Sequence, residues 1–143
     1  MLQILFTIAA IYGLKVHLLD ATNAFIGSKL DKQIFMEISK GLPKNLLPGN
    51  NYVCKLLQSL YRLRQSTNLW NHKVKDYVTL IGFIASTIDP SIFINQRGII
   101  IALYVNNILV FRKDKKSINA TKTKLKAFHL MKDSGLMKKI LRI

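Results

Sequence analysis

Apolar residues change their spacing several times along the chain, and each change marks an element. Residues 2–12, "LQILFTIAAIY", are apolar at nearly every position, which predicts a short buried helix. "LKVHLLD" (14–20) reads as a buried strand that closes on a carboxylate, Asp20. In "KQIFMEIS" (32–39), Ile34, Met36 and Ile38 alternate with Gln33, Phe35 and Glu37, so a strand with one strongly apolar face is expected. Residues 41–51 hold two of the three prolines and two glycines and read as a loop. "YVCKLL" (52–57) follows as another strand.

From Ser66 to Ile81 the period turns helical. Trp70, Val74, Tyr77, Val78 and Ile81 share a face, Lys73 and Lys75 point away, and Gly82 is a natural stop. Two extended pieces, 91–96 and 98–105, meet at a turn near Arg97-Gly98, and 108–111 returns after Asn106-Asn107. That makes 98–111 a hairpin with the asparagine pair at its tip. Residues 115–131 form a second amphipathic helix. Ile118, Thr121, Leu125 and Phe128 line its inner face, with Lys115, Lys116, Lys122, Lys124 and Lys126 off it. Strands and helices alternate irregularly around at least one hairpin, so the fold class is α+β.

Composition bounds this picture. The chain has 143 residues, half of them hydrophobic, enough for one domain or a large piece of one. Lys and Arg total 22 against 7 Asp and Glu, a formal charge of +15 that favours polyanions such as nucleic acid or an anionic membrane surface. A single cysteine, Cys54, excludes a disulfide within the chain and reads as a buried thiol in a reducing compartment, cytoplasm or nucleus. The apolar start lacks a basic leader and a cleavage site, and is short of the ~20 residues that span a membrane. No signal peptide, transmembrane segment or membrane partner is therefore expected. The chain opens inside an element with no cap before it, which reads as a fragment.

Candidate chemistry is sparse. His17, His72 and His129 are far apart and lack metal-ligand spacing, and there is no phosphate-binding glycine loop. Asp20 has two readings: a ligand for a hard cation at a strand end, or an N-cap for a helix starting at Ala21. Asn106-Asn107 also has two: a plain turn, or the remains of a carboxylate pair.

Four ordered stretches carry a resemblance: "VHLLDATNAFIGSKLDKQIFME", "VCKLLQSLYRLRQSTNLWNHK", "GFIASTIDPSIFI" and "IALYVNNILVF…KLKAFHLMKDSG". Together they resemble the reverse transcriptase of copia-type LTR retrotransposons across essentially residues 1–143. The resemblance implies a partial right-hand polymerase, palm plus part of the fingers, as a single partial domain. The upstream fingers, the thumb and RNase H would lie outside it. It implies an RNA-directed DNA polymerase whose partners are a nucleic-acid template–primer and a deoxynucleoside triphosphate. It also implies two Mg²⁺ ions, held by Asp20 and by an Asp pair at Asn106 and Asn107. Phe25 falls at the aromatic gate against the ribose 2′-position, Gln65 at a nucleotide or template contact, and Tyr104, the tyrosine of the YVDD motif, at a further substrate-binding position.

The departures set the expected function. Asp20 with two asparagines carries formal charge −1 where the family has −3, and Mg²⁺ relies on anionic oxygen. Arg62 and Arg142 replace family glycines, Thr67 replaces a proline, and the Asn-Gly turn after Phe25 is altered to "IGSKL". The expectation is a catalytically inactive member of the family. The alternatives are a nucleic-acid-binding remnant without chemistry, or a pseudogene product without activity.

Overall fold

The computed structural model describes residues 1–26, 29–30, 32–38, 41, 49, 52–60 and 63–138. The chain divides into two compact units, Met1–Ala24 with Asn71–Ile143, and Phe25–Trp70. Among the described residues there are three helices and a mostly antiparallel sheet, a mixed α/β arrangement.

The first unit is built on a six-stranded sheet in the order β4-β5-β6-β7-β1-β8. Its strands are β1 (Lys15–Ala21), β4 (Phe83–Ala85), β5 (Ile92–Asn95), β6 (Ile100–Tyr104), β7 (Asn107–Arg112) and β8 (Met131–Leu136). Each neighbouring pair is antiparallel. Side chains alternate between faces along a strand, so each face is read from parity and register.

Helix α1 (Leu2–Tyr12) covers one face. Its Leu5 and Ala9 pack in one cluster with Val16, Ile92, Ala102, Leu109 and Phe111, with Leu2, Phe6 and Leu18 at the margin. The rings of Phe6 and Phe111 lie 5.9 Å apart. The helix stops at Gly13, whose φ of 66° suits glycine and closes the last turn. The predicted burial holds for one stripe only. Ile4, Ile11 and Tyr12 are exposed, because a helix lying on a sheet hides a single stripe however apolar the rest is.

Helix α3 (Lys115–Phe128) lies on the other face. Ile118, Thr121 and Leu125 are buried, as their spacing predicts. Asp114 caps it by accepting a 2.8 Å bond from the Ser117 N–H; bonding from Ser117, side chain first and then backbone, and from the Arg112 side chain holds its carboxyl down at about 2. Lys122 is buried on this inner face too, contrary to its expected outward position. The helix also ends three residues early. His129 is extended at φ −151°, and the following residues pair with β1 as β8. That strand is missed by pattern because "MKDSGL" has no apolar alternation; its place comes from the open edge of β1.

Helix α2 (Arg64–Leu80) matches its prediction within two residues, with Val74 and Val78 buried. Tyr77 stacks on Phe128 at 4.3 Å, and its hydroxyl donates to the Lys124 carbonyl.

The second unit holds a ribbon of β2 (Phe35–Glu37) and β3 (Val53–Lys55). All six residues are exposed, Cys54 among them, which corrects the expected apolar face and buried thiol. Among the described residues no second layer covers the ribbon, and two strands alone bury neither face, whatever their alternation. Most of the predicted 41–51 loop, Gly27-Ser28, Arg62 and Arg142 lie outside the described residues.

Candidate functional site

Strand β1 delivers Asp20 to one end of the sheet, and the β6–β7 hairpin delivers the asparagines to the same end. Register pairs Asp20 with Asn107, and Asn107 with Tyr104. Paired residues share a face, so Tyr104, Asn107 and Asp20 form a row across three strands. The row lies on the α1 side, beyond Leu18. It continues onto β8, where Lys132 is the partner of Asp20. Sequence reasoning missed Lys132, because only the pairing of β8 puts it there.

The hairpin turn differs by one residue from the expected one. Val105 and Asn106 form the tip, and Asn107 already belongs to β7. Asn106 turns back across the site. Its Nδ2 donates to Asp20 Oδ1 at 2.8 Å, and its carbonyl accepts from the Ala21 N–H at 2.9 Å. The structure therefore joins Asp20, Asn106 and Asn107 from opposite ends of the chain. No helix starts at Ala21, which is itself in β1, so the N-cap reading of Asp20 fails.

The strained residue is not an asparagine either. Val105 takes φ 56°, an unusual conformation for a β-branched side chain. Positive φ at the first turn residue alone is the II′ pattern, which prefers glycine there. Val105 is also 57% exposed, so it buries little in return. Val105→Gly is expected to stabilise the chain by about 1 kcal/mol, read as a higher denaturation midpoint at unchanged slope. A lower midpoint would mean that the valine side chain contributes more than its backbone costs.

Asp20, Asn106 and Asn107 offer one carboxylate and two carboxamides, with a lysine next in the row. Asp20 and Lys132 cancel in charge, and an N–H already occupies one Asp20 oxygen. This donor set does not fit two hard dications, which need several anionic oxygens. Among the described residues, no three His, Cys, Asp or Glu side chains are grouped to hold a metal ion.

Phe25 and Gln65 belong to the other unit. Phe25 is half-buried in a turn, and Gln65 lies in the first turn of α2 with its Oε1 buried and without a hydrogen-bond partner. Of the three histidines, His17 lies on the α3 face of β1, and His129 Nε2–H donates to the Thr22 carbonyl at 2.7 Å. No helix among the described residues is long and apolar enough to cross a membrane.

Comparison with known proteins agrees with the order of the motifs. The profile of a family described as "Reverse transcriptase (RNA-dependent DNA polymerase)" matches residues 1–143. The chain is 34% identical over 118 residues to the retrovirus-related Pol polyprotein from transposon RE1 of Arabidopsis thaliana, covering 80% of the chain and 8% of that protein. It is 31% identical over 144 residues to the corresponding polyprotein from transposon TNT 1-94 of Nicotiana tabacum, covering 98% of the chain and 11% of that protein. A putative transposon Ty5-1 protein of Saccharomyces cerevisiae is 29% identical over 126 residues, covering 86% and 40%. The chain thus spans about a tenth of the two plant polyproteins. No solved structure matches.

Proposed function

Because the chain belongs to the copia-type reverse transcriptase (RNA-dependent DNA polymerase) family, we propose that it binds a nucleic-acid template–primer but no longer extends it. On this reading the unit with the six-stranded sheet is the palm, and Phe25–Trp70 is part of the fingers. Asp20 and the β6–β7 hairpin are the catalytic corner, Tyr104 its neighbour on the strand, and Phe25 and Gln65 nucleotide contacts.

The observation that carries the reading is the 2.8 Å bond from Asn106 Nδ2 to Asp20 Oδ1. An amide N–H stands where the family's chemistry calls for a cation between carboxylates. It gives Asp20 Oδ1 a donor without any added ion. Asn106 and Asn107 together cost the site two formal charges, and electrostatic stabilisation at the reacting phosphate is the largest contribution to phosphoryl-transfer catalysis. The +15 charge, in contrast, keeps the long-range attraction to a phosphate backbone intact.

The test is a salt-titrated binding assay on a primed template, paired with primer extension in Mg²⁺. Binding with a steep salt slope and no extension is the expected result. Extension close in rate to that of the Asn106→Asp/Asn107→Asp variant would overturn the inactivity. Absence of binding at low salt would overturn the retained partner.

A further inference from the structure

Away from the Asp20 row, a cavity of about 620 Å³ opens between β1, α3 and β8. Lys15, His17, Lys115, Asn119, Lys122 and Ser134 contribute to its wall. His17 and Lys15 are odd-numbered in β1 and Asp20 is even, so the cavity lies on the opposite face of the sheet from the candidate catalytic corner. Along the strand its lysine end, at Lys15, lies roughly 17 Å from Asp20 at ~3.3 Å per residue, although the lining reaches His17 and Asp133 nearer to it.

Its charge is unbalanced by construction. Lys122 is buried, bonded to His17 Nδ1 at 3.1 Å and to Asp133 at 2.7 Å. Asp133 is the cavity's one carboxylate and is already shared with Lys126 at 2.9 Å. Lys15 and Lys115 have no ion-pair partner among the described residues. Lys15 also sits opposite Arg112 in the β1–β7 register, a like-charge pair that destabilises a bare sheet. Burial, then the Lys122 cation, with a smaller part from Lys115 and Lys15 and against an opposing pull from Asp133, hold His17 below its usual range. Among the described residues, the Asn119 side-chain amide and the Ser134 hydroxyl have no hydrogen-bond partner.

We propose that this cavity is a second phosphate-binding surface, one that seats a nucleic-acid backbone on the face of the sheet away from the catalytic corner. Two free ammonium groups flank a concavity with uncommitted amide and hydroxyl groups, the donor set that phosphodiester oxygens take. Its volume lies in the range of ligand sites. A bilayer surface fits less well, because Leu136 is the only large apolar residue in the lining. The proposal takes its ligand class from the retained binding of nucleic acid argued above, but not its location.

The experiment compares two double variants of the full chain on a mixed-sequence duplex. Lys15→Gln/Lys115→Gln removes two exposed charges from the cavity; Lys75→Gln/Lys124→Gln removes two from helix positions outside it. Circular dichroism and thermal melting verify that both fold, which is expected because none of the four lysines is in a salt bridge among the described residues. The cavity variant is expected to lose about two from the slope of log affinity against log salt, at ~0.9 per phosphate contact, and the control well under one. Equal losses in both variants, or none in the cavity variant, would overturn the second surface while leaving nucleic-acid binding in place. If the unaltered chain fails to bind the duplex at low salt, the proposed function fails and takes this surface with it.

Discussion

Asn106→Asp combined with Asn107→Asp is expected to make the chain's stability depend on Mg²⁺, with no such dependence expected of the unaltered chain. In chelator the double variant loses the bond from Asn106 to Asp20, a hydrogen bond to a charged group worth roughly 1.5–3 kcal/mol. It also places carboxylates within hydrogen-bond distance of one another, where they cannot all ionise freely. A combined loss of about 3 kcal/mol corresponds to a melting temperature lower by roughly 10 °C in a chain of this size. Added Mg²⁺ binds the folded form and restores about 2.7 kcal/mol at a hundred times its dissociation constant. Thermal melts with and without Mg²⁺ read both effects without any activity assay. If the unaltered chain gains as much from Mg²⁺ as the variant does, the asparagines still hold the metal and the charge argument is wrong. Asn106→Asp alone is expected to account for most of the loss in chelator, since Asn107 makes no bond to Asp20.

The sequence shows the parts of this corner but not its wiring. Motif order names Asp20, Asn106 and Asn107, and helical spacing finds α2 and α3 almost to their ends, because buried stripes on long helices leave a strong period. Whether the tip is Asn106-Asn107 or Val105-Asn106 is decided by the β6–β7 register, which no local pattern encodes. Strand β8 is invisible for a related reason. Its residues are mostly exposed, so pairing rather than burial makes it a strand, and Lys132 beside Asp20 was hidden with it. Cys54 shows the opposite error. Apolar neighbours suggest burial only where a second layer covers the ribbon. The inward turn of Lys122 has a pairwise cause that spacing cannot reveal, since its partners Asp133 and His17 lie 11 and 105 positions away.

That buried lysine carries the other large effect. Asp133→Asn is expected to cost about 3 kcal/mol, the low end for breaking a buried ion pair, because it strands the Lys122 ammonium among Lys15, Lys115 and a neutral His17. Lys122→Met is expected to cost less. It removes the buried charge itself and leaves Asp133, 27% exposed, with Lys126 still in place. The same network sets a pH dependence with one sign in two windows. His17 titrates below its ordinary 6.5 in the folded chain, so on acidification through that value the unfolded chain takes up a proton that the folded one refuses, and stability falls. Partial burial pushes the Asp133 carboxyl up, but bonds from Lys122, Lys126 and the Gly135 N–H outweigh it and hold it well below its ordinary 3.8. Its contribution is therefore complete above that value and is lost as pH falls further. Urea denaturation in pH steps is expected to give midpoints that decline from just above 6.5 and decline again below about 4. In Lys122→Met the upper decline becomes shallower but persists, because burial, the larger cause, still holds His17 down, whereas Lys126→Ala leaves it unchanged. A midpoint constant from pH 7 to 5 in the unaltered chain would show that His17 is free to protonate, and that Lys122 finds its balance elsewhere.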